Sequence, residues 1–371
     1  MAQGRRSNFE LLRIISTIMI IVYHFAFWSA FDYIELEKYP VNYLFLNFLE
    51  LFGKVGVDIF ILISGYFLIE KDDIKVSKVI KLWLQIFFYS LLSYILFSLN
   101  IFKSDYFENS IPLFIERVMP ISHGNWWFAS SYFIIFLFSP FLNRFFKSLS
   151  NKQYLIFLAL AVTCGSIIVT LTQKNEFQGI RLIPFFIIYS IGGYIKLHLN
   201  EIHFSRKKLG VILFVAIVVG LIVLLLWRRE AKTDTFIKGY FLVMVGSETF
   251  PITMIISIVL FLIFKETEIG VKKPVNIVAS ASFAVYMIHT DILFKQTLWR
   301  TIIHGSDFQY GKLLIPYTIA ACLGVYAACT VIELARIYLL EKNYMKLVYK
   351  AEPKINRALH RLADSVYEKI R

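Results

Sequence analysis

Apolar residues in this chain come in long blocks, separated by short polar runs, with little of the alternation that marks a half-buried strand. A bilayer crossing needs about 20 mostly apolar residues. Ten blocks meet that description: 11–31, 47–69, 79–99, 126–143, 153–172, 180–199, 209–227, 241–264, 275–296 and 313–339. The pattern predicts an all-α polytopic membrane protein of about ten transmembrane helices. The second and fourth blocks are the least regular: "GKVGVD" interrupts one, and the other is short and enters through "HGNWWF". Residues 1–340 are read as one transmembrane domain and 341–371 as a charged cytoplasmic tail forming an amphipathic helix. The longest outside loop, near 100–125, is too short for a soluble domain.

Composition agrees. The chain of 371 residues is 58% hydrophobic, with 36 Phe and 21 Tyr, against roughly 45–50% apolar for soluble domains. A net charge of +13 would suit a nucleic-acid binder, but the basic residues fall between the blocks, where they set topology. With the N-terminus inside, 26 Lys and Arg lie on the inner side and 12 on the outer. Both termini are therefore expected in the cytoplasm, with the cell membrane as the site. The four positive charges of "WRREAKTDTFIKGY" count against this count of sides. Cys164, Cys322 and Cys329 lie in apolar blocks without metal-ligand spacing, so core packing is expected and no metal. The first block exceeds the roughly 7–15 residues of a signal-peptide core and is read as a retained helix.

A titratable residue inside a span is a functional candidate. Here these are Arg13, His24, Glu50, Asp58, Glu248, His289, Asp291 and Glu333. In "RIISTIMIIVYH", Arg13 and His24 share one helix face, about 16.5 Å apart at ~1.5 Å per residue. Arg13 falls near the cytoplasmic mouth and His24 past mid-membrane. A snorkelling arginine and a packing histidine explain the pair as well as a catalytic site does. Asp58 in "GKVGVDIFILISGYF" is a possible orienting group for His24, beside glycines that also suit close helix packing. Lys75, Lys78 and Lys81 recur every third residue, either as an ordinary positive-inside cluster or as a phosphate grip. Trp126 and Trp127 fit an aromatic belt or a sugar platform. His289 and Asp291 lie toward the outer end of the ninth span.

Taken together, these stretches resemble the acyltransferase-3 family of membrane acyltransferases, over roughly 8–340. The elements that carry the resemblance are Arg13 and His24 at their spacing, "GVDIFILISGYF", "NWWF" at the start of a span, and "FAVYMIH". The chain is most similar to stand-alone members that modify exopolysaccharide and other envelope sugars. That implies transfer of an acyl group, usually acetyl, from cytoplasmic acyl-CoA to a sugar hydroxyl of a lipid-linked or growing glycan. Arg13 and His24 match the family's essential pair. Lys78 and Lys81 stand where the family usually carries arginines. No esterase-like partner domain is expected.

The mechanism expected from this reading gives each group a role. Arg13 and Lys75, Lys78 and Lys81 attract the donor's phosphates. His24, oriented by Asp58, is the general base, with a covalent acyl-histidine as a variant. Trp126, Trp127 and His289 line the acceptor side. The expected partners are acyl-CoA (acetyl-CoA in the family's usual form), the glycan acceptor, membrane lipids and other polysaccharide-synthesis proteins, with no nucleic acid. A transporter or flippase of lipid-linked glycan is the competing class. It needs the same spans but no aligned base.

Overall fold

The structure is a computed structural model and describes residues 6–104, 107–173 and 182–370. Arg5, Lys174, Arg181 and Arg371 of the charge count lie outside the described residues. The described fold is helical: α1 Ser7–Trp28, α2 Pro40–Glu50, α3 Phe52–Leu68, α4 Val76–Ser98, α5 Ile111–Val118, α6 Trp127–Ser148, α7 Asn151–Val162, α8 Ile168–Thr172, α9 Leu182–His198, α10 Arg206–Glu230, α11 Thr235–Gly246, α12 Pro251–Lys265, α13 Lys273–Ala279, α14 Ser282–Thr290, α15 Leu314–Arg336 and α16 Lys342–Ile370. Eight helical stretches are long and apolar enough to cross a membrane. The other two expected crossings take a different form. One is the shorter apolar helix α9; the other is split between α13 and α14 at Ser280–Ala281. The two least regular blocks both form spans, Pro40–Leu68 and Trp127–Ser148.

Lipid contact shows on the outside of the bundle. On α10, Val211, Phe214, Val218 and Ile222 are exposed large apolar residues at helical spacing, a stripe that only a hydrocarbon solvent leaves without cost. Inside, glycines set how close helices come. A side-chain carbon on Gly56 would lie 2.5 Å from the Ser16 carbonyl of α1, and one on Gly65 2.2 Å from the Tyr189 carbonyl of α9. Any larger residue would force these helices apart, so α3 is wedged between α1 and α9 by its small residues.

Buried ionisable groups meet partners, as low polarity requires. Glu50 binds Arg228 and accepts from the Tyr33 hydroxyl at 2.6 Å. Arg228 belongs to the basic run placed outside, and part of that charge is thus neutralised within the fold. Glu333 accepts from Gln85, Tyr89 and Arg336 at 2.5–2.8 Å. Arg336 also reaches Glu341 at 2.6 Å, which fastens the start of the tail to the bundle. One end of the bundle collects the Ser7 end of α1, the start of α13 and the end of α12: Ser7 Oγ donates to Asn276 at 2.8 Å, and Asn8 Nδ2 to the Phe264 carbonyl at 2.8 Å.

Candidate active site

A cavity of about 590 Å³ lies between α1, α3, α6 and α14 and the segment after α14. Its lining includes Tyr23, His24, Trp28, Lys54, Trp126, Trp127, Ser130, Ser131 and Lys295. The site occupies the His24 end of α1, far from the Ser7 end.

α1 sets His24 at the cavity wall because its neighbours at Phe25 and Ala26 are buried in the core, which turns the imidazole the other way. His24 stacks on Trp28, one helical turn on, with centroids 4.0 Å apart and planes within 2°. Its Nδ1 lies 3.0 Å from Nε2 of His289. His289 is fully buried, and its Nδ1 lies 2.5 Å from the Val285 carbonyl. These contacts fix the tautomers of the neutral pair. A carbonyl only accepts, so Nδ1 of His289 carries the proton and its Nε2 is bare. That nitrogen therefore accepts from Nδ1–H of His24. Nε2 of His24 is left with a lone pair, the form required of a general base or nucleophile.

Two cations flank the imidazole. Lys54, in α3, forms an ion pair with Glu248 at 2.5 Å and stands over the Trp127 ring at 4.4 Å. Glu248 sits where the span between α11 and α12 is broken, from Ser247 to Phe250. Irregular backbone at membrane depth is tolerated where protein buries it or a cavity adjoins it. Lys295 stands over the Trp28 ring at 5.1 Å. The cavity thus joins an acceptor nitrogen, two ammonium groups, small hydroxyls and aromatic walls.

The structure redistributes the residues singled out from sequence. His24, Trp126 and Trp127 share this cavity. Trp126 is buried and donates from Nε1 to the Met287 carbonyl at 2.9 Å, so it is a wall of the site with its edge already committed. His289, expected on the acceptor side, lies behind His24 and is not among the residues that line this cavity. It holds the position expected for Asp58. Asp58 is buried in α3 and accepts from Ser257 Oγ at 3.3 Å, which ties α3 to α12. Its place is set by the helix register: Gly53 and Gly56 face α1, and Asp58 turns toward α12. Arg13 pairs with Glu10 at 2.8 Å, near the Ser7 end. Lys75, Lys78 and Lys81 are exposed at the start of α4, and Lys81 pairs with Glu341 of the tail junction. None of these cations lines the cavity.

Lys54 and Lys295 are the groups that sequence reasoning passed over. Lys54 had a signal, the one cation in the apolar block 47–69, with Glu248 as its opposite in another. Among the described residues, no group of three or more His, Cys, Asp or Glu is placed to hold a metal. A family model described as an acyltransferase domain matches residues 6–334. No curated protein and no solved structure matches the chain.

Proposed function

The chain belongs to the acyltransferase-3 family of membrane acyltransferases, and on that premise we propose that it transfers an acyl group, acetyl first, from cytoplasmic acyl-CoA to a sugar hydroxyl of an envelope glycan. The observation that carries this reading is the His24–His289 pair, with the bare Nε2 of His24 on a cavity large enough for a reacting sugar and thioester.

In this reading the acceptor hydroxyl enters among Trp127, Ser130 and Ser131. His24 Nε2 takes its proton as the oxygen attacks the thioester carbon. The new C–O bond forms, the C–S bond breaks, and the proton passes from His24 to the leaving thiolate. Charge building on the carbonyl oxygen is met by Lys54 or Lys295, whose effect is strong in a site shielded from water. His289 holds the imidazole in the productive tautomer and accepts more strongly from it as it becomes positive. The exposed Lys75 and Lys78, with the part-buried Arg13 at the Ser7 end, receive the donor's phosphates. In this reading that end faces the cytoplasm, which the distribution of Lys and Arg supports.

The test is the acyl content of the surface glycan, read by NMR in a deletion strain carrying the wild-type gene or His24→Ala at equal protein level. Acylation restored only by the wild type supports the enzyme. Unchanged acylation with reduced glycan export favours a transporter.

A further inference from the structure

A second, smaller pocket of about 160 Å³ lies behind Trp126. Leu92, Leu96, Phe97, Phe102 and Met287 give it an apolar lining, and Trp126 belongs both to this pocket and to the His24 cavity. The indole is therefore the partition between a polar reaction chamber and an apolar space. It is pinned in that place by its hydrogen bond to the Met287 carbonyl, two residues before His289. Ser93 and Asp291 form part of the pocket's wall, and Arg117 pairs with Asp291.

We propose that Trp126 sets the length of the acyl group transferred, and that the pocket behind it is a latent subsite for the hydrocarbon of a longer acyl chain. The proposal rests on the acyl-transfer reading. An apolar pocket beside a reaction centre takes the apolar part of what reacts there. At roughly 30 Å³ per methylene-sized group, the size of a liquid water's share of volume, 160 Å³ holds about five such groups. That matches a short acyl chain and is far too little for the tail of a membrane lipid. With the indole in place the chain is cut off near its second carbon; with it removed, chamber and pocket become one space. The chemistry is unchanged for a longer chain: the acceptor oxygen bonds to the acyl carbon as the C–S bond breaks, and the hydroxyl proton passes through His24 to the thiolate.

The test uses the full chain in membranes of the producing cell, which carry their own acceptor, and follows free thiol from acetyl-, butyryl- and hexanoyl-CoA. His24→Ala membranes supply the background. The wild type should discriminate steeply against hexanoyl-CoA. Trp126→Ala, or Trp126→Leu where the alanine variant does not accumulate, should raise the hexanoyl-to-acetyl ratio at least tenfold. Adding Leu96→Trp, which refills the pocket from behind, should reverse that gain. A Trp126 variant that still uses acetyl-CoA at the wild-type ratio overturns the proposal. So does one whose acceptor preference changes while its donor profile does not. Failure of the wild type to release thiol from any donor overturns the acyl-transfer reading and this proposal with it.

Discussion

Nδ1 of His24 and Nε2 of His289 are 3.0 Å apart, although 265 residues separate them in the chain. One nitrogen must donate, and the Val285 carbonyl decides which. The consequence is that the bare nitrogen of His24, the base of the proposed reaction, is chosen by a second histidine and not by a carboxylate.

His24→Ala should therefore abolish transfer, and His289→Ala should slow it. General base catalysis contributes about 10²–10⁴ in rate. Loss of the orienting partner should cost part of that factor, roughly 10–100-fold in kcat, with KM for the donor little changed. His289→Gln, whose side-chain oxygen accepts a hydrogen bond, should recover part of the rate. Steady-state kinetics on purified variants read all three. A His289→Ala enzyme that loses affinity but keeps kcat would remove His289 from this role.

Lys54 and Glu248 make a pair in which stability and activity can be separated. Removing one partner of a fully buried ion pair costs about 3–5 kcal/mol, whereas replacing both by apolar residues is often neutral; Lys54 and Glu248 are part-buried, so their loss falls toward the low end or below it. Lys54→Met should unfold at markedly lower temperature in detergent, and Lys54→Met with Glu248→Met should recover most of the loss. If Lys54 also stabilises the oxyanion, the double variant stays inactive despite its recovered stability. Full activity in a stable double variant would leave Lys295 as the group in question.

Arg117 and Asp291 answer a different need. The pair is buried at 3.1 Å, and it joins α5 to the residue that caps the end of α14, two positions past His289. Arg117→Met should lower the melting temperature through the unpaired carboxylate left behind. Because α14 carries His289, it should also depress kcat in the variant that remains folded. Normal kcat in a destabilised Arg117→Met protein would confine the pair to structure.

The apolar blocks made most of the fold legible, because length and hydropathy alone define a crossing. They were less informative where a crossing is made of pieces. The break at Ser247–Phe250 carries a signal inside its apolar block, Glu248 followed by Pro251 at the first position of α12, and it is held by tertiary contacts such as Thr249 Oγ1 on the Gly165 carbonyl, 2.6 Å; the break at Ser280–Ala281 has no proline or charge beside it. The site was legible in part. His24 and the tryptophans stood out as costly or bulky residues at particular depths. The identity of its partner did not. Helical spacing relates residues within one span, but the rotation of α3 that sends Asp58 to Ser257, and the approach of α14 that brings His289 to His24, are set by packing between spans.

The lysines at the start of α4 give the last prediction. Lys81 is engaged by Glu341, and the Ser77 amide is held by Glu352 at 2.9 Å, so the tail helix α16 lies against the same stretch that would receive donor phosphates. Lys78, one turn before Lys81, is exposed and has no ion pair among the described residues. Phosphate attraction by exposed lysines acts through solvent and is screened within about 10 Å at 0.1 M salt. Lys78→Gln should then raise KM for acyl-CoA severalfold at low salt and less at high salt, leaving kcat near the wild-type value. Lys81→Gln should have a smaller direct effect. Glu341→Gln frees the Lys81 ammonium from its partner, and should lower KM at low salt if the tail competes with the donor. Unaltered KM in all three variants across the salt series would move donor binding away from α4, and would leave these lysines as the topological signal that their place at the membrane surface already explains.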